Sequence, residues 1–142
     1  MKRNELVALT ESYKVGSYIY KITSIEKKTV KLYRPVSKKI KKVTVKNTVK
    51  IGGVTYKITA IDKNAFKNCK SLKKLTVGKN VKTINAKAFF KCKKLKSITF
   101  KGTKLKKVGR NAFKATYRKV NIKAPKKKLK AYKKLLKKAG MR

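Results

Sequence analysis

Apolar residues in the middle of this 142-residue chain recur as a set rather than singly. Ile61, Ala65, Phe66, Cys69, Leu72, Leu75 and Val77 return 23 residues later as Ile84, Ala88, Phe89, Cys92, Leu95, Ile98 and Phe100, and lysine fills most of the gaps. A third copy, offset by 24 residues, keeps Val108, Ala112, Phe113 and Ile122 but puts Thr116 and Lys119 where the cysteine and the first leucine stood. One such unit cannot bury its apolar side alone, so a recurring unit of this length predicts turns that stack into a solenoid. The decay of the last copy suits a turn that faces water.

Within each copy the spacing predicts a short strand followed by a tighter return segment. Leu95-x-x-Ile98-x-Phe100-x-x-Thr103-x-Leu105 has the leucine-rich-repeat spacing, with Thr at the position usually held by Asn. Leu72-x-x-Leu75-x-Val77-x-x-Asn80-Val81 is one residue shorter after the asparagine, which accounts for the change of offset. Upstream, Val43-Thr44-Val45 supplies an earlier strand.

The ends read differently. Tyr18, Tyr20 and Ile22 alternate with Ile19 and Lys21, and Thr29-Val30-Lys31-Leu32-Tyr33 follows the polar Glu26-Lys27-Lys28, a period-two pattern that predicts a β-hairpin. Because Tyr20-Lys21-Ile22-Thr23-Ser24-Ile25 nearly duplicates residues 56–61, a degenerate first turn is the competing reading; the capping hairpin is preferred. Residues 1–12 are expected to be loosely held. Past the repeats, Pro125 suits a first helical turn, and Leu129, Tyr132, Leu135, Leu136 and Ala139 follow at helical spacing before Gly140. The division is therefore an N-terminal flank and capping hairpin over 1–39, a solenoid over 40–122 and a basic cap helix over 123–142.

The "I-x-x-A-F-x-x-C-x-x-L-x-x-I" pattern resembles the BspA-like class of leucine-rich repeats. Tyr56-Lys57-Ile58-Thr59-Ala60-Ile61 after Gly52-Gly53 resembles the entry segment of such domains, and the Lys-rich tail is similar to the ends of clostridial members. The resemblance covers about residues 40–122. It implies a mostly β, right-handed leucine-rich-repeat solenoid and a bacterial, secreted or surface-borne interaction module. Its motifs define a core and leave the ligand open.

Charge changes the picture more than length does. There are 45 basic residues against four acids, for a net charge of +41, more than solubility requires. Arginine stands only at positions 3, 34, 110, 118 and 142; the rest is lysine, a point charge suited to phosphate, sulfate or carboxylate rather than to reading base edges. A partner of opposite sign, a polyanion, is the expectation, and salt should stabilise the fold. No apolar run approaches a membrane span. Met1 to Leu9 begins like a charged n-region but is too short in apolar residues for a signal peptide. Two localisations stay open: secreted or cell-surface, with an export signal lost from the chain, or cytoplasmic.

Catalytic chemistry is not expected. The chain has no His, and Glu5, Glu11, Glu26 and Asp62 are scattered, so neither acid–base pairs nor a metal shell can be assembled, and no phosphate-cradling Gly-rich loop occurs. No cofactor and no small-molecule substrate are expected. Cys69 and Cys92, one repeat apart, should stack about 5 Å from each other; they form either a ladder of buried thiols or a disulfide. Phe66, Phe89 and Phe113 share one repeat position and belong to the core. Tyr13, Tyr18, Tyr20, Tyr33 and Tyr56 serve hairpin packing or, beside so many lysines, base stacking.

The lysines repeat as well. Lys70 and Lys93, Lys73 and Lys96, and Lys82 and Lys106 occupy matching positions and should form stripes along a solenoid. With Lys126, Lys127, Lys130, Lys133, Lys134 and Lys137 of the tail they are the candidate polyanion-binding residues. A merely solvated, lysine-biased surface is the bland alternative, although solvated faces usually mix signs. The tail helix has a similar choice between capping the solenoid, lying on anionic membrane and touching nucleic acid, with capping preferred. Three functions follow: a surface interaction module for a cell-wall polymer, acidic glycan or acidic protein; an intracellular protein gripping nucleic-acid phosphates by charge; or a structural repeat that binds nothing specific.

Overall fold

The computed structural model describes residues 8–142. The start of the Met1 to Leu9 segment, most of the stretch expected to be loosely held, and Glu5 therefore lie outside the described residues. The chain opens with β1 (Tyr13–Val15) and β2 (Tyr18–Ser24), an antiparallel pair closed by Gly16 and Ser17, and β2 then pairs antiparallel with β3 (Thr29–Pro35). A second tight hairpin joins β5 (Thr48–Ile51) to β6 (Val54–Ile61), after a lone strand β4 (Lys42–Val45). Its two-residue loop is Gly52-Gly53, both at positive φ, which such hairpin turns require.

The two hairpins explain the duplicated hexapeptide. Lys14-Val15-Gly16-Ser17-Tyr18-Ile19-Tyr20-Lys21-Ile22-Thr23-Ser24-Ile25 matches Lys50-Ile51-Gly52-Gly53-Val54-Thr55-Tyr56-Lys57-Ile58-Thr59-Ala60-Ile61 in frame, and both fold as strand, tight turn and strand. Tyr20 and Ile22 in the first, and Tyr56, Ile58 and Ile61 in the second, are the buried residues of the two second strands. They diverge afterwards: β2 turns back into β3, whereas β6 runs on into the repeats.

The remaining strands are short: β7 (Lys74–Val77), β8 (Thr83–Ile84), β9 (Ser97–Phe100), β10 (Lys107–Val108) and β11 (Asn121–Lys123). They form two sheets. One has the order β1-β2-β3-β6-β8-β10, with β5 on β6; the other has the order β11-β9-β7-β4. In the second sheet all pairings are parallel, and the register places Val43, Leu75, Ile98 and Ile122 in one row and Val45, Val77 and Phe100 in another. These rows are the inner face, and Thr44, Thr76 and Thr99 alternate outward between them, as strand geometry demands.

A third side joins the sheets without strands. Phe66 donates its N–H to Ala88 at 2.7 Å and Phe89 donates to Ala112 at 2.8 Å, so each return segment hangs on the next. Inside, Phe66, Phe89 and Phe113 stack with centroids 5.1 Å apart and nearly parallel rings. The solenoid core is this spine with Leu72, Leu95, Ile61 and Ile84, all buried. Gly78 and Gly102 lie where coils approach most closely: a Cβ on Gly78 would sit 2.5 Å from the Val45 carbonyl, and one on Gly102 2.5 Å from Lys79 Cα.

Both ends are covered. At the front, the Tyr18 hydroxyl accepts the Thr44 N–H at 2.9 Å, and its ring meets Phe66 edge-on. Asp62 ties β3 to the first coil through Lys31 at 3.3 Å, the one ion pair among the described residues. At the rear, α1 (Leu129–Lys138) buries Tyr132 and Leu136. Tyr132 packs edge-on against Phe100 and donates its hydroxyl to the Gly102 carbonyl. Pro125 accepts the N–H groups of Lys128 and Leu129 one turn ahead of the helix, and Gly140 at φ 97° ends it, with Met141 bonding back to Leu136.

Candidate polyanion-binding surface

Outside the core rows, the same register repeats lysine. Lys96 donates its backbone N–H to the Lys73 carbonyl, and Lys73 donates to Lys41, so three exposed lysines mark the entry to the four-stranded sheet on successive coils. Lys42 and Lys74 form a second row beside them. At the opposite corner Lys106 donates to the Lys82 carbonyl and Lys82 to that of Thr59. Lys70 and Lys93 each follow a buried cysteine and are exposed. The fold thus puts the Lys73 and Lys96 row at the entry to the four-stranded sheet and the Lys82 and Lys106 row at the entry to β8 and β10 of the other sheet. Lys126, Lys127, Lys130, Lys133, Lys134 and Lys137 are exposed on the rear cap. The twelve candidates are rows on several sides of the molecule and do not converge on one patch.

Phe90 is a surface feature that the sequence reading missed. It is only half-buried, and the ammonium groups of Lys67, Lys87 and Lys91 stand 5.4 to 5.8 Å from its ring centroid. Lys67 and Lys114 hold the same repeat position on the neighbouring coils, so a comparison of outer rather than inner positions would have singled it out. Tyr117, 40% exposed, has Lys96 5.2 Å from its ring. Tyr33 lies between Lys21 and Arg34 at 4.2 and 4.3 Å. Of the other tyrosines, Tyr20 and Tyr56 are buried, Tyr18 caps β4, and Tyr13 donates to the Ala8 carbonyl.

Cys69 and Cys92 are free, fully buried thiols. The Cys92 thiol donates to the Phe66 carbonyl at 3.1 Å. Burial pushes it up to about 12, helped by the neighbouring Cys69, and burial raises Cys69 too. A nucleophilic cysteine needs the opposite, a depressed value and exposure. Desolvation likewise raises Tyr20 to about 12. Among the described residues no group of three or more His, Cys, Asp and Glu comes together to hold a metal ion, and no helix is long and apolar enough to cross a membrane.

A family model described as BspA type leucine rich repeat region (6 copies) matches residues 59–138. No curated protein matches the chain. Among solved structures, the chain is similar to a leucine rich cell surface protein from Faecalibacterium prausnitzii, at 23% identity and a TM-score of 0.67 over 80% of this chain and 32% of that one. A leucine-rich repeat protein from Bacteroides ovatus matches at 18% identity and 0.61, over 81% and 38% of the two chains. Another from Bacteroides capillosus matches at 22% and 0.56, over 80% and 98%. The chain spans between 32% and 38% of the length of the first two. What is shared at these identities is the repeat fold.

Proposed function

Because the chain belongs to the BspA-type leucine-rich-repeat family, we propose that it is a non-catalytic interaction module of a bacterial surface or secreted protein, and that its lysine rows bind an anionic polymer. The observation that carries this reading is the pairing of register-locked lysine rows with almost no acid: 45 basic residues against four. An ordinary solvated surface intersperses both signs. Here lysines stand on successive coils whose backbones are about 5 Å apart, so the surface repels itself until a polymer of opposite sign neutralises it. The description of the Faecalibacterium structure as a cell surface protein supports the location.

Lysine rather than arginine fits a polymer recognised by charge density, a sulfated or phosphate-bearing chain, without selection for planar groups. The test is retention of the folded chain on an immobilised sulfated polysaccharide and on a polyphosphate, eluted along a salt gradient with duplex DNA as competitor. Saturable retention at about 150 mM salt that DNA does not displace is expected. Passage through both columns at that salt overturns the reading. Saturable, structure-dependent preference for nucleic acid replaces it with phosphate gripping inside the cell.

A further inference from the structure

One concavity on this surface is built from both the hairpins and the coils. Lys27 and Thr29 at the β2–β3 turn, Lys57 and Thr59 of β6, Lys82 ahead of β8, and Asn80 with Lys104 line a space of about 170 Å³. Backbone pairing fixes their convergence. Thr29 stands opposite Lys57 in the β3–β6 register, Lys57 donates its N–H to Lys28 at 2.8 Å, and Lys82 donates to Thr59 at 2.8 Å. Asn80 is buried and already used: its amide donates to the Asn47 carbonyl and its oxygen faces the Lys104 ammonium at 3.4 Å. Asn80 thereby holds Lys104 at the rim.

No carboxylate lines this space. Asp62 is engaged by Lys31, and Glu26, next to Lys27 in sequence, is exposed and outside the lining. Four ammonium groups around a concavity repel one another, and they offer only donors. The two threonine hydroxyls add to them. Thr29 Oγ1 lies 2.6 Å from Thr23 Oγ1, and either can donate; with Thr23 as donor, the Thr29 proton is left for the concavity. Donors therefore arrive from several sides, and no guanidinium is among them. A planar carboxylate is matched best by the arginine fork, whereas dispersed ammonium and hydroxyl donors suit oxygens spread around a tetrahedral centre.

We propose that this concavity seats one sulfate or phosphate group of the anionic polymer, an assignment that rests on the polymer-binding reading above. The Lys82 and Lys106 row leads away from the seat along the solenoid. A bound chain would therefore be anchored once here, at the seam of hairpin and coil, and held along its length by the row. The lysine rows repeat and the seat does not, so the seat sets where the polymer starts.

The experiment is an amide NMR titration of the full chain with inorganic sulfate, inorganic phosphate and acetate at constant ionic strength. Sulfate and phosphate should give saturating shifts at Thr29, Lys57, Thr59 and Lys82, and acetate should not. Lys57→Gln with Lys82→Gln should weaken sulfate by about fivefold or more. Lys94→Gln with Lys119→Gln removes equal charge from exposed positions outside both the seat and the lysine rows and should leave the titration unchanged. Lys104→Gln, an exposed turn substitution, supplies a second reading should the double variant lose its fold. Shifts that never saturate, an equal response to acetate, or equal weakening by the Lys94 and Lys119 pair would overturn the seat. Polymer retention by the wild type alongside any of these outcomes sinks the seat alone. Saturation of the seat without retention on either column sinks the polymer reading instead.

Discussion

The inner and outer rungs of this solenoid are stacked by the same backbone register and respond to it in opposite ways. Inside, Phe66, Phe89 and Phe113 sit 5.1 Å apart and attract, out of water and with parallel faces. Outside, Lys41, Lys73 and Lys96 are carried on successive coils by the same ladder, and they repel. Stacking identical residues therefore stabilises only when the residue is apolar. The interior supplies the stability, and the exterior is charged at its expense.

The sharpest way to break this contrast is to remove the middle of the spine. Phe89 is fully buried and stacked on both sides, so Phe89→Ala should cost about 3–5 kcal/mol, the sum of lost transfer energy and the cavity left behind. Lys91→Ala, two residues away on the outside, should change stability by no more than about 0.5 kcal/mol. Urea denaturation of both variants measures the pair, urea being uncharged and so leaving the lysine repulsion unscreened. Equal losses would mean that the outer rungs contribute to the fold as the inner ones do.

The cysteine ladder tests the interior by pH. Folded Cys92 keeps its proton up to about 12, while the unfolded chain releases it near 9.0. Above the unfolded value the unfolded state binds fewer protons, so this thiol's contribution is complete below pH 9 and is lost as pH rises toward 12. The slope is at most about 1.4 kcal/mol per pH unit. Cys92→Ala isolates the thiol: the advantage of wild type over variant should shrink between pH 8 and 10 in urea melts. A constant difference would show that the thiol does not sense its burial.

Legibility follows the same division. Stacked interior positions must be filled alike on every coil, so Ile61 and Ile84, Phe66 and Phe89, and Cys69 and Cys92 announce the solenoid by identity. The hairpin at Glu26-Lys27-Lys28 and the helix from Leu129 were equally plain, since each has its own period. The outer surface has no such requirement. Phe90 went unread because it interrupts a lysine position instead of continuing an apolar one. The anion seat was hidden for a different reason: of its four lysines, only Lys82 belongs to a repeating pair that was singled out. Lys27 and Lys57 meet it through the docking of hairpins on a coil, which no spacing along the chain encodes, and Lys104 comes from the next coil at a position that does not repeat as lysine. The full extent of the duplicated hairpin, residues 14–25 against 50–61, is faint in the sequence because ahead of Tyr20 and Tyr56 only Lys14 and Gly16 match Lys50 and Gly52 by identity.

A last substitution carries the comparison to its smallest scale. Each coil places two residues in the left-handed region: Asn64, Lys87 and Asn111 at φ 57° to 60°, and Asn68, Lys91 and Ala115 at φ 60° to 63°. Asparagine tolerates this conformation better than lysine, so at the first of the two positions the second coil bears a strain that its neighbours avoid. Lys87→Asn restores the rung, removes one of the three ammonium groups around Phe90, and should stabilise the fold by about 0.5–1 kcal/mol. Lys87→Gln removes the same charge and keeps the strain. If relief of the backbone is the cause, Asn will exceed Gln in urea melts at high and low salt alike. If instead the two variants gain equally, and only at low salt, then the outer rungs destabilise this coil by charge alone.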